Sequence, residues 1–114
     1  MNTTSIGRRA EGAAAEYLEA KGFEVLQRNY RTRFCEIDVV AARSGALYFV
    51  EVKYRKNDRQ GNGLEYITKR KLEQMQLAAE YYAQEHGRSG AYRLAAIEVG
   101  GVDYSVSSFI ESLT

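Results

Sequence analysis

The chain has 114 residues and a formal net charge of +1, with 45% hydrophobic and 27% charged residues, one cysteine, one histidine and no proline. That length bounds it to a single domain, expected over residues 1–114, with one modest core. One cysteine excludes an internal disulfide, and one Cys with one His excludes a structural zinc site.

Residues 1–7 are polar and lack the apolar stretch of a signal peptide, and residues 8–21 are rich in Ala, Glu and Leu and predict a helix closed by Gly22. Phe23 to Gln27, Glu36 to Ala42 and Leu47 to Tyr54 predict three strands, rich in Val, Ile, Phe and Tyr. Asn57 to Gly63 reads as a polar loop. Residues 65–86 predict a long helix with Leu72, Met75, Ala79 and Tyr82 on one stripe, broken by Gly87 to Gly90. Tyr92 to Val99 and Val102 to Phe109 predict a fourth and a fifth strand. The order is that of an α/β sandwich with a mixed sheet. No apolar run approaches the ~20 residues of a membrane helix, so no membrane partner and a cytoplasmic setting are expected.

Charge is uneven along the chain. Residues 1–71 hold 14 Lys and Arg against 9 Asp and Glu, whereas residues 72–114 hold 2 against 6. The basic side chains fall in two runs, Arg28 to Arg33 and Lys53 to Lys71. Such a face attracts polyanions, though a solvated face serving solubility has the same appearance.

The most informative segments are Cys35-Glu36-Ile37-Asp38-Val39-Val40 and Phe49-Val50-Glu51-Val52-Lys53. Alternate residues of a strand share a face, which groups Glu36, Asp38 and Val40 on one strand and Phe49, Glu51 and Lys53 on the next. A tight turn centred on Ser44-Gly45 sets Asp38 opposite Glu51 and Glu36 opposite Lys53, whereas a three-residue loop would shift the register by one. Two facing carboxylates repel, so the pair calls for a cation or a shared proton. Mg2+ or Mn2+ suits an all-oxygen site. A metal-bound water there is placed to attack a phosphodiester, with Lys53 steadying the developing charge. Glu11 lies on or beside the apolar stripe Ala14, Ala15, Leu18 and is a third candidate ligand. The plainer reading makes these residues a solvated face in which Glu51 and Lys53 pair locally.

The chain resembles the YraN family of small bacterial proteins in five stretches: Gly7-Arg8-Arg9-Ala10-Glu11, Asn29-Tyr30-Arg31, Glu36-Ile37-Asp38, Phe49-Val50-Glu51-Val52-Lys53-Tyr54-Arg55 and Lys69-Arg70-Lys71. That family is similar to the restriction-endonuclease-like superfamily, which includes the archaeal Holliday-junction resolvases. The resemblance implies an α-β-β-β-α-β core with a mixed sheet flanked by helices. It matches Asp38 and Glu51 to metal-binding acids, Lys53 to the catalytic lysine and Glu11 to the helix glutamate of the resolvase-like branch. It also implies a homodimer. Two departures stand out: Cys35 replaces an expected glycine, and Arg93-Leu94-Ala95-Ala96 replaces an Arg-Phe-Asp run.

Three functions follow. The first is a Mg2+- or Mn2+-dependent endonuclease acting on DNA, including branched or junction DNA. In it Asp38, Glu51 and Lys53 are catalytic, Glu11, Asp38 and Glu51 hold the metal, and Arg8, Arg9, Arg55, Lys56, Lys69 and Lys71 grip the backbone. The second is a non-catalytic nucleic-acid-binding module with a vestigial nuclease site. The third is an interaction subunit. Tyr30, Tyr54 and Tyr66 are candidates for stacking on bases, although core-edge packing is the commoner role. Cys35 reads as a packing thiol and His86 as a partner of a helix dipole.

Overall fold

The computed structural model describes residues 3–56 and 67–114. The elements are α1 (Thr3–Ala20), β1 (Glu24–Arg31), β2 (Glu36–Arg43), β3 (Ala46–Arg55), α2 (Lys69–Glu85), β4 (Tyr92–Gly100) and β5 (Ser105–Ile110). The expected α-β-β-β-α-β order is the observed one, with a fifth strand added.

Each boundary has a local cause. α1 ends where Gly22 takes φ 92°, which only glycine adopts without cost. The Phe23 N–H then reaches the Leu18 carbonyl at 3.0 Å, and the Gly22 N–H reaches that of Glu19 at 3.1 Å. α2 closes in the same way at Gly87, with Arg88 N–H on the Ala83 carbonyl at 2.8 Å. α2 begins at Lys69, four residues later than predicted, because the Thr68 side chain caps it by accepting from Lys71 N. Residues 65 and 66 of the predicted helix, and the predicted loop from Asn57 to Gly63, lie outside the described residues. β5 starts three residues later than predicted, after a Gly101–Tyr104 turn that leaves Val102 98% exposed.

The five strands lie in the order β1-β2-β3-β4-β5. All neighbours are antiparallel except β3 and β4, which run parallel and are joined by α2 crossing one face. Ser44 and Gly45 both have positive φ, the conformation of a two-residue turn suited to strand twist. The β2–β3 ladder then runs from Arg43 opposite Ala46 to Val39 opposite Val50, the register predicted from that turn.

A helix covers each face. Ala10, Ala14 and Leu18 of α1 pack with Val39, Val50, Ala95 and Ile97. Met75, Ala78, Ala79 and Tyr82 of α2 pack with Ile37, Val40, Phe49 and Leu94. The alanines on both helices bring backbone close to sheet. Full burial of Leu18, Phe49, Met75 or Ile97 contributes roughly 1.5–3 kcal/mol each. Among the described residues no helix is long and apolar enough to cross a membrane.

Candidate acidic site at a fork in the sheet

The site forms where β2 leaves β3. Beyond Val39 and Val50 the ladder stops, and Asp38 sends its side chain into the opening, where Oδ2 accepts the Val52 N–H at 2.8 Å. A carboxylate therefore takes a backbone donor that a strand partner would otherwise hold. On the other side of β2, the ladder with β1 passes from Arg28 opposite Val39 to Tyr30 opposite Ile37. Asn29, between them, has φ 56°.

The faces of β2 reverse here although its register with β1 is kept, which corrects one expectation. Ile37 and Val40 both lie under α2, while Val39 and Ala41 lie under α1. Glu36, Asp38 and Val40 therefore do not share a face, because the strand turns over at Asp38. Glu36 is not opposite Lys53. It joins Gly7, Arg8, Glu11, Asn29 and Arg31 around a cleft of about 300 Å3, and Oε2 meets Arg31 Nε at 2.7 Å.

Asp38 is 9% exposed and is the one buried charged side chain among the described residues. Burial drives its carboxyl well above the usual carboxylate range, and a hydrogen bond to Glu51 and that group's charge push the same way. The Val52 N–H works in the opposite direction. A hydrogen bond between two carboxyl groups needs a proton between them.

Glu51, on β3, is held from α2. Lys71 Nζ lies 2.7 Å from its Oε2, with the two side chains 27% and 13% exposed. Burial disfavours the Lys71 ammonium most of any single influence, but the hydrogen bond to Glu51 and the charges of Glu51, Cys35 and Asp38 together outweigh it and the lysine's pKa rises. Cys35 lies alongside, half-buried, its thiol donating to the Gln74 carbonyl at 3.5 Å and its pKa raised by desolvation. Lys53 follows Glu51 by two positions, on the same face by strand alternation, and is half-buried.

Glu11 borders the buried stripe of α1. Its carboxylate is 3.8 Å from Arg28 Nη2 and hydrogen-bonds Asn29. Burial raises its pKa against both of these partners, and the charges of Glu36 and Glu51 add to the rise. Among the described residues, no three His, Cys, Asp or Glu side chains gather into a cluster that would hold a metal ion. The chemistry of the Asp38–Glu51 pair nevertheless fits a hard divalent cation, because each charge raises the cost of the other at this buried place and a dication would offset both.

The basic candidates separate into two groups. Arg8, Arg9, Lys56 and Lys69 are exposed, with the Arg9 guanidinium 6.0 Å from the Tyr104 ring centre. Arg55 is paired with Glu98 at 3.3 Å across the parallel strands, and Lys71 with Glu51. Tyr30 is buried and donates to Glu85, and Tyr54 donates to the Gly101 carbonyl, so both serve packing, while Tyr66 lies outside the described residues. His86 caps α2 and stacks on Tyr82. Lys71 is expected only as a cation gripping the backbone, and its pairing with Glu51 has no mark in the sequence. Asn29 is not singled out, because the predicted first strand ends at Gln27 whereas β1 runs on to Arg31.

The fold and site define an α/β/α protein with an acidic pair at a sheet fork, a lysine one strand step away and a second lysine entering from the crossover helix. The model of the family described as "Uncharacterised protein family UPF0102" matches residues 10–99, and the chain belongs to that family, in agreement with the YraN-family motifs. The chain is 42% identical over 93 residues to a UPF0102 protein of Methylococcus capsulatus, covering 82% of this chain and 76% of that one. It is 46% identical over 82 residues to one of Lachnoclostridium phytofermentans, covering 72% and 70%. With one of Caldicellulosiruptor saccharolyticus it shares 35% identity over 100 residues, covering 87% and 85%.

Proposed function

We propose that this protein is a divalent-metal-dependent endonuclease that hydrolyses phosphodiester bonds in DNA, branched or junction DNA included, acting in the cytoplasm as a homodimer. The observation that carries the reading is the buried Asp38 carboxyl, fixed in the fork by the Val52 N–H, with Glu51 next to Val52 on the adjoining strand and held by Lys71. Few structural needs explain two acids held together beside half-buried lysines, whereas a dication bound to a phosphodiester does.

Asp38 and Glu51 would hold Mg2+ or Mn2+; Glu11, the third ligand expected from the sequence, does not gather with them and lines the cleft on the α1 side instead. When bound, that ion supplies a water of lowered pKa and neutralises charge on the phosphate. The remaining roles belong to the chain. The Val52 N–H fixes the Asp38 carboxylate. Lys53 offers an ammonium to the charge that develops on the phosphoryl oxygens. Arg8, Arg9, Lys56 and Lys69 present cations to the flanking backbone, with Lys71 at the site and Arg55 paired with Glu98.

A second reading, a non-catalytic nucleic-acid-binding module with a vestigial site, is favoured by one observation: Glu51 is already neutralised by Lys71. One experiment separates the two. Labelled single-strand, duplex, flap and four-way-junction DNA and an RNA hairpin are incubated with Mn2+ and protein. Cleavage by the wild type, absent in Asp38→Ala and Lys53→Ala, is expected. Retarded bands without cleavage would transfer the assignment to the binding module.

A further inference from the structure

We propose that Lys71 is the resident counter-cation of the acidic pair, and that a divalent ion entering the site displaces it from Glu51 and frees it to meet the anionic substrate. The proposal rests on the metal-binding reading above and adds a regulation of that site: the protein fills its own cation position until metal and substrate arrive together.

The position of Lys71 in α2 is the first argument. Thr68 caps the helix, and its side-chain oxygen accepts the Lys71 N–H at 3.0 Å, which makes Lys71 the third helical residue. Glutamate or glutamine is favoured there, because it returns a hydrogen bond to the cap and complements the positive end of the helix dipole. The first turn of α2 instead holds Lys69, Arg70 and Lys71 and no acid. For local helix stability Lys71 is the wrong charge in the wrong place. Its stabilising partner lies across the fold.

The second argument is the contact itself. Nζ and Glu51 Oε2 are 2.7 Å apart, the short distance of a charge-assisted hydrogen bond, and both side chains are largely covered. Lys71 gives up the rotamer freedom of a long side chain to sit there. The oxygen it occupies is one that a divalent ion would need. An ammonium and a dication repel strongly at such range, so both cannot stay on one carboxylate. The four-carbon stem lets the ammonium swing outward, where a phosphate is the natural new partner.

The test follows Lys71 directly. Its side-chain NH3+ signal is monitored by 15N NMR during a Mg2+ titration, and Mn2+ binding is measured by calorimetry for wild type, Lys71→Met, Lys71→Arg and Lys69→Met. Saturating Mg2+ should shift the Lys71 signal or abolish it through solvent exchange. Lys71→Met should bind Mn2+ about tenfold tighter, the worth of one charge-assisted hydrogen bond. Lys71→Arg should keep the wild-type affinity, and Lys69→Met, with its cation exposed on the same turn, should stay within about twofold. An unmoved Lys71 signal at saturating Mg2+, or equal affinity for Lys71→Met and Lys69→Met, overturns the proposal and leaves the metal site standing. No binding by wild type but binding by Lys71→Met supports it. No binding by any of the four overturns it together with the metal reading.

Discussion

Asn29 shows how much one backbone angle decides. Its φ of 56° lies in the left-handed region, which costs most L-residues about 1–2 kcal/mol and which asparagine tolerates better than most. The angle coincides with the place where β2 turns over and Asp38 enters the fork, and the Asn29 side chain holds Glu11. Asn29→Ala should therefore be less stable than Asn29→Gly by about 1 kcal/mol in urea denaturation, since glycine keeps the angle freely. Equal stabilities would refute the role of the angle. Asp38 carries a pH signature of the metal-free protein. Burial and Glu51 raise its pKa in the folded state, while the unfolded chain releases the proton near pH 4. Its stabilising contribution is thus complete below that value and is lost as pH rises toward the folded value. The urea midpoint of the wild type should fall between about pH 5 and 8, and Asp38→Asn should lose most of that slope.

At the scale of elements, expectation and structure agree where the signals are local. Gly22 and Gly87 end their helices as expected, and Ser44-Gly45 sets the register of β2 on β3. Alternation alone leads to the expectation that Glu36 shares a face with Asp38, which fails because β2 turns over between Ile37, on the α2 side, and Val39, on the α1 side. A pattern of period two holds no mark for the residue where the period breaks. The start of α2 depends on a single cap. Thr68→Ala should cost about 1 kcal/mol of stability and loosen Lys71 on Glu51 as well, readable as a higher thermal midpoint for wild type. Thr68→Ser, which keeps the acceptor, should recover most of the loss.

Across the whole molecule the charges fall into two roles. Arg55 and Lys71 are tied to carboxylates, while Arg8, Arg9, Lys56 and Lys69 stand at the surface. The proposed grip on nucleic acid therefore makes a sharp demand. Reversing Lys56 and Lys69 to glutamate should weaken DNA binding and reduce the slope of log K against log salt by about 0.9 for each phosphate no longer neutralised. Asp38→Ala should leave that slope unchanged. A retained slope in the Lys56→Glu, Lys69→Glu double variant would move the interface elsewhere on the surface.

The element order, the C-terminal ends of both helices and the hairpin register as far as Val39 opposite Val50 were legible in the residues, because periodicity and turn chemistry act over a few positions; the start of α1 at Thr3, five residues before the predicted one, and the end of the ladder short of Asp38 were not. Which charge answers which was not. Lys71 reaches Glu51 because α2 crosses the face on which Glu51 stands, and Arg55 reaches Glu98 because β4 is laid parallel beside β3. These partners lie far apart in the chain, and only packing of the two helices onto the sheet sets the few ångströms in which an ion pair forms.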